Sequence, residues 1–362
     1  METYPHSDSC DVAFRAYVGC RTTALRRARG RGLEVFDVSS AGKWTHRWTV
    51  PAGHNPSFLL IDEARGVLHC VHGDGSEVSS FKIDVDGRLF GLGTRATGGT
   101  NPVHLAQSAG NRWILVANYA TGSVASLPVE ENGSIGPMAH LLELPAKAGP
   151  HKTQQQGAHP HQIVLHPSGR WLLVPDKGAD AVHTLALDED TGALQLIATL
   201  EVAPGSGPRH LVFRSDGAVA WVVLELSSQV LTARFDAATG RLEPVRRTTT
   251  VPDSFVGENT GAGIVLPRDE CQLFVSNRGH GSVVCYEVDA TDGALSSPTW
   301  TRALGAVPRF ITPLPGTNAL CVANEDADSI VRVSGPSQVE PLTSTGSPVC
   351  VAFTHSSKEI TS

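Results

Sequence analysis

Residues 207–225 read Gly-Pro-Arg-His-Leu-Val-Phe-Arg-Ser-Asp-Gly-Ala-Val-Ala-Trp-Val-Val-Leu-Glu. A hairpin is legible inside this stretch. Leu211-Val212-Phe213 forms one strand, Ser215-Asp216-Gly217 a tight turn, and Val219-Ala220-Trp221-Val222-Val223 the return strand. The return strand is apolar, as a buried strand should be, yet charge stands at both ends of the unit, at Arg209 and Glu225.

Variants of the unit recur. Seven apolar strands end in a similar way, at Val18, Val71, Val116, Val174, Val223, Val275 and Val322, separated by 45 to 58 residues. A shorter apolar strand and a Gly-containing turn usually come before each, as with Leu59-Leu60-Ile61 ahead of Gly66. An alternating strand such as Val182–Leu187 follows, then an Asp/Gly turn such as Asp188–Gly192, then a last short strand. Four strands in about 50 residues, with no amphipathic helix between them, is the pattern of a β-propeller. The expected fold is therefore an all-β, seven-bladed propeller of four-stranded antiparallel blades. It is read as one domain over residues 1–362, with an ordered core of about 13–354.

The chain ends indicate how the ring closes. The N-terminal unit starts at a second strand, Phe14–Gly19, with no first strand ahead of it. The C-terminal stretch Ser347-Pro348-Val349-Cys350-Val351-Ala352-Phe353 is a first strand with no unit of its own. Pairing the two in one blade removes the free edges that an open ring would leave.

Composition excludes some functions. A net charge of −7 gives no basis for nucleic-acid binding. The basic cluster Arg26-Arg27-Ala28-Arg29-Gly30-Arg31 reads as a solvated loop, with an anion patch as the alternative. Seven cysteines, an odd number without a C-x-x-C pair, suit free thiols in a reducing compartment. Neither a secretory signal nor an apolar run long enough for a membrane span is apparent, so a soluble cytoplasmic protein is expected. Oligomeric state is not legible.

Polar residues at the strand ends point to a site. First strands open with Asn55-Pro56-Ser57, Asn101-Pro102-Val103-His104, His159-Pro160-His161, Gly207-Pro208-Arg209-His210 and Val307-Pro308-Arg309. Proline is tolerated there because a strand's first residue need not donate to the ladder. The residues that follow would face the channel mouth, which collects His104, His161, Arg209 and Arg309. Second strands end in Asn118, Asp176, Glu225, Asn277-Arg278 and Asn324. Asn118, Asp176 and Asn324 are equally explained as turn caps, and Arg209 and Arg278 as members of an inter-blade ion pair with Glu225. His159 and His161, interrupted by Pro160, have no Cys or carboxylate set to complete a metal site, so neither metal nor cofactor is expected. No Gly-x-Ser-x-Gly elbow appears.

The ordered set of motifs resembles the seven-bladed propeller lactonase family, which includes bacterial 6-phosphogluconolactonases and the fungal 3-carboxy-cis,cis-muconate lactonizing enzyme. The matching stretches are Asn101–His104, Val116-Ala117-Asn118-Tyr119, His159–His161, Gly207–His210, Gly257-Glu258-Asn259-Thr260, Val275–His280, Pro308-Arg309 and Ser347–Cys350. The resemblance implies that His161, Arg209, Glu225 and Arg278 are catalytic. His104, Asn118, His159, His210, Glu258, Asn277 and Arg309 are expected to bind substrate. Three positions depart from the family's usual residues: Pro160, Leu224 and Lys177. The implied activity is hydrolysis of a sugar lactone, 6-phosphogluconolactone above others. The same cradle would serve a carboxymuconate cycloisomerase, and a non-catalytic binding platform is the reading from another class. The expected ligand is a small anionic lactone or polycarboxylate. His161, with an ordinary imidazole pKa, or Glu225 would be the base.

Overall fold

A computed structural model describes residues 12–145 and 147–355. These fold into seven four-stranded antiparallel sheets. The seven second strands are Val12–Cys20, Val67–His72, Trp113–Asn118, Leu172–Asp176, Val219–Leu224, Gln272–Asn277 and Leu320–Asn324. Each contains one of the seven apolar strand ends read from the sequence. Two short 3₁₀ turns, Ala24–Arg26 and Glu325–Ala327, are the helical elements among the described residues. Among the described residues no helix is long and apolar enough to cross a membrane.

The ring closes as the chain ends imply. Pro348–His355 pairs antiparallel with Val12–Cys20, placing Val351 opposite Val18, so the last strand is the first strand of the blade that the N-terminus completes.

The reason for continuous apolar second strands is visible in the packing. Seven apolar clusters fill the seven blade–blade interfaces. Side chains alternate across a strand, so one strand feeds two clusters. Ala220, Val222 and Leu224 pack against the preceding blade, whereas Val219, Trp221 and Val223 pack against the next. Indole N–H groups pin neighbouring blades: Trp113 donates to Glu189 O, Trp171 to Ala237 O and Trp221 to Gly293 O, each at 2.9 Å. Cys20, Cys70, Cys271, Cys285, Cys321 and Cys350 are free thiols.

Candidate active site

The site grows out of a backbone device repeated at the start of the first strands. The residue before proline takes a left-handed conformation at Asn55, Asn101, Gly207, Val307 and Ser347, with φ between 42° and 65°. The residue after proline is then skipped by the ladder. Pro208 pairs with Leu224 and His210 with Val223, leaving Arg209 unpaired, and Ser57, Val103, Arg309 and Val349 are skipped in the same way. Such a bulge re-aims the extra side chain. Ser57, Val103, His161, Arg209, Arg309 and Val349 accordingly line one cavity.

A second ring follows the second strands. The N–H groups of Arg21, Gly73, Tyr119, Lys177, Glu225, Arg278 and Glu325 donate to Ser347, Asn55, Asn101, His159, Gly207, Thr260 and Val307 carbonyls, at 2.7 to 3.1 Å. These seven positions are equivalent, and charge alternates along part of the ring: Lys177, Glu225, Arg278, Glu325 and Arg21.

Glu225 is the hub. Its Oε1 lies 3.2 Å from Lys177 Nζ and 2.9 Å from Arg278 Nη2, and its Oε2 lies 3.0 Å from Arg209 Nε. Arg209 belongs to the same blade as Glu225, so only the Lys177 and Arg278 pairs cross between blades. Burial alone would raise the Glu225 carboxyl, but Arg278, Lys177 and Arg209 overcome it and hold it at about 2. The blade lacking the proline motif contributes carbonyls instead. Ala262 O accepts from Arg209 Nη1 at 2.6 Å and Gly261 O from Arg278 Nη2 at 3.2 Å. Lys177 Nζ also donates to Gln154 Oε1 at 2.9 Å and lies 5.0 Å from the Tyr119 ring centroid. A second carboxylate, Glu325, holds Arg21 at 2.7 Å and Arg309 at 3.5 Å.

The histidines continue an aromatic line. Phe58–His104, His104–His210, His210–His161, His161–Tyr119 and Tyr119–His159 centroids are 4.0, 6.0, 5.2, 5.7 and 4.5 Å apart. Burial, reinforced by Arg209, holds His161 and His210 well below the ordinary imidazole value and takes His104 to about 3. All three are neutral at pH 7. An ordinary pKa for His161, expected from the sequence, is therefore not what its surroundings give.

Several expected site residues have other tasks. His104 lies one residue beyond the bulge, so its counterpart is His210 rather than His161, and its Nδ1 accepts from Ile163 N at 3.4 Å. Asn118, Asn277 and Asn324 are fully buried braces, donating to Thr97 O, Thr250 O and Ala303 O at 3.0, 2.6 and 2.9 Å. Asp176 caps its turn through His159, Gly178 and Ala179 N–H groups. The turn-cap reading thus describes Asp176, whereas Asn118 and Asn324, like Asn277, donate their amides to distant backbone carbonyls. His159 stacks on Tyr119 and donates Nδ1–H to its carbonyl at 2.8 Å. Glu258 is exposed on a cleft of about 490 Å³ lined also by His151, Gln154, Phe255 and Thr260, and Gln154 links this cleft to Lys177. Arg26, Arg29 and Arg31 of the basic cluster pair with Asp74, Asp328 and Glu34.

Sequence reasoning missed Arg21, Tyr119 and Glu325, and treated Lys177 only as a departure. Each stands one residue past a second strand, the position of Glu225 and Arg278. Aligning the units on Gly207–Glu225 would have found them.

The family model of the lactonase seven-bladed β-propeller matches residues 15–353. The chain belongs to this family. A 6-phosphogluconolactonase of Bacillus subtilis is 28% identical over 351 residues, covering 94% of this chain and 98% of the relative. The solved periplasmic gluconolactonase of Pseudomonas aeruginosa superposes with a TM-score of 0.84 at 30% identity, covering 94% and 98% of the two chains. A solved protein from Lactobacillus plantarum gives a TM-score of 0.86 at 26% identity, over 94% and 99%.

Proposed function

We propose that this member of the family hydrolyses a sugar lactone bearing an anionic group, with 6-phosphogluconolactone the preferred substrate. One observation carries the reading. Arg21, Lys177, Arg209, Arg278 and Arg309 bring five positive charges against two negative ones, Glu225 and Glu325, a surplus of three at the mouth. Asp74, 3.9 Å from Arg21, is already matched by Arg26. That surplus sits in a chain of net charge −7. A site that recruits anions is the physical reading, and the Bacillus subtilis relative is named for a phosphorylated lactone.

In this mechanism water attacks the lactone carbonyl carbon and gives up a proton to a ring nitrogen of neutral His161. The tetrahedral oxyanion is stabilised by Arg209 and Arg278, whose positions are fixed beforehand by Glu225 and by the Ala262 and Gly261 carbonyls. Collapse breaks the ring carbon–oxygen bond, and the proton on His161 passes to the leaving oxygen, yielding the hydroxy acid. Glu225, ionised down to about pH 2, already has its carboxylate oxygens against Lys177, Arg209 and Arg278. Its role is to hold Lys177, Arg209 and Arg278 together. Arg278, more exposed than Arg209 and with Nε lacking a partner, presents a charge-assisted donor to the substrate's phosphate or to the oxyanion.

The test measures opening of freshly made 6-phosphogluconolactone above its spontaneous rate, beside unphosphorylated gluconolactone, for the wild type and Arg278→Ala. The expected result is acceleration for the phosphorylated substrate and a loss of 10²-fold or more in the variant. Equal turnover of both lactones would remove the phosphate from the proposal. No acceleration of either would refute lactone hydrolysis.

A further inference from the structure

Seven connections on the mouth side carry the chain from the outer strand of one blade to the first strand of the next. Five of them are three to six residues long, whereas residues 144–163 and 250–260 run to 20 and 11. In a ring of otherwise minimal loops, long connections are where binding residues collect. These two converge on one place, the cleft of about 490 Å³: His151 and Gln154 come from one, and Phe255, Glu258 and Thr260 from the other. The cleft adjoins the charged hub. Gln154 Oε1 accepts from Lys177 Nζ at 2.9 Å, that ammonium is 3.2 Å from Glu225 Oε1, and Thr260 O accepts from Arg278 N at 3.0 Å.

The chemistry of the cleft is unlike that of the mouth, because no Lys or Arg lines it. Part of its lining is spent on structure. Asn259 donates to Ser228 Oγ and Asn277 Oδ1 and accepts from the Gly279 and His280 N–H groups, at 2.9 to 3.1 Å. Other groups are unspent. An ammonium can only donate, so Gln154 Oε1 is the acceptor and its Nε2–H groups are left for a ligand. Gln154 Nε2, Thr260 Oγ1 and the Glu258 carboxylate make no hydrogen bond or ion pair among the described residues. A carboxylate without a cation beside it disfavours a phosphate or carboxylate in the cleft. An acceptor, an amide donor and a hydroxyl set against Phe255, Leu226 and Val251 suit a neutral ligand with many hydroxyls and apolar C–H faces. A pyranose ring is such a ligand.

We propose that the cleft is a glycosyl subsite, with Glu258 and Gln154 as specificity-determining residues. The lactone ring of a disaccharide aldonolactone lies at the mouth, and its second, neutral sugar ring lies between the two long loops. Water opens the ring ester to the disaccharide acid, and the glycosidic bond is untouched. The substrate class thereby widens from phosphorylated monosaccharide lactones to glycosylated ones. That assignment of substrate rests on the proposed lactonase reading. Binding of the sugar ring does not.

The test is calorimetric titration of the full chain at pH 7 with cellobionate, with maltobionate, and with gluconate, which lacks the second ring. At least one disaccharide acid should bind about tenfold or more tighter than gluconate, the worth of one hydrogen bond to a charged acceptor. Glu258→Ala and Gln154→Ala should each reduce that ratio. With the lactones themselves, Glu258→Ala should raise KM for the disaccharide lactone relative to gluconolactone and leave the ratio of their kcat values in place. Equal affinities of wild type for the three acids, or a preference that survives both substitutions, would overturn the subsite. Should one variant fail to unfold cooperatively, the other carries the comparison. If no lactone is opened while the disaccharide preference stands, the lactonase reading fails and the subsite remains. If gluconolactone is opened and the preference is absent, the subsite alone fails.

Discussion

Glu225→Gln keeps the shape of the hub and removes its charge. Lys177, Arg209 and Arg278 would then face one another across a neutral amide, at positions now 3.2, 3.0 and 2.9 Å from the carboxylate oxygens. The cost follows from the carboxyl's titration. Its value falls from 4.5 in the free residue to about 2 in the fold, and at about 1.4 kcal/mol per pH unit the gap corresponds to roughly 3 kcal/mol. Removing one partner from a buried ion cluster costs about 3–5 kcal/mol by general experience, so the two routes agree.

The sign of the pH dependence is fixed as well. Because the folded value is depressed, the stabilisation is complete above about pH 4.5 and is lost as pH falls toward 2. Urea unfolding of wild type and Glu225→Gln at pH 7 should therefore differ by about 3 kcal/mol, and the difference should shrink below pH 4. Adding Lys177→Met to Glu225→Gln removes one surplus cation and should recover part of the loss. Equal urea midpoints at pH 7, or a double variant less stable than Glu225→Gln alone, would refute the hub.

Other predictions follow from the same geometry. With His161 held well below 6.5 by burial and Arg209, lactone-opening kcat/KM in methanesulfonate buffer should stay flat from pH 8 to about 6. A fall centred near 6.5 would show an imidazole of ordinary basicity. Val307 is a β-branched residue at φ 58°, where equivalent positions carry Asn55, Asn101 and Gly207. Val307→Asn should stabilise the fold by about 1 kcal/mol, read as a higher urea midpoint. Truncation after residue 346 removes Pro348–His355, the strand paired with Val12–Cys20, and should abolish cooperative unfolding monitored by near-UV circular dichroism.

The fold was legible because its core lies between repeating units. Each second strand needs apolar residues on both faces, as Val219–Leu224 has, and that need writes a continuous hydrophobic run at a steady interval. Part of the site was legible for a related reason. Arg209, Glu225 and Arg278 violate the pattern beside strands that otherwise obey it, and a buried charge requires a partner. What the sequence conceals is which neighbour supplies that partner. Lys177 and Arg278 flank Glu225 in space, yet they lie 48 and 53 residues away along the chain, and only the packing of consecutive blades makes them adjacent. The histidine pKa values were hidden because they depend on burial depth. His161 is 6% exposed and His159 partly open, a difference that two residues of sequence do not announce.

Leu224 shows how closely the frame and the site are coupled. Where other blades end their second strand in Asn118, Asn277 or Asn324, each bracing a loop carbonyl, this blade has a buried leucine packed into the interface with the preceding blade. The same blade carries the charged hub at the next residue and Arg209 on its first strand. Its loop is braced from the neighbour instead, by Asp180 accepting from Gly205 and Gly207 N–H groups at 2.7 Å. Gly207 O in turn accepts from Glu225 N at 2.7 Å. The blade that holds the charged hub thus takes its positioning from the blade before it, which also supplies Lys177 and His161. The charge arrangement at the mouth is therefore a property of the packed blades, and on the proposed lactonase reading variants that loosen the packing between these two blades should lower turnover before they lower the content of β-structure.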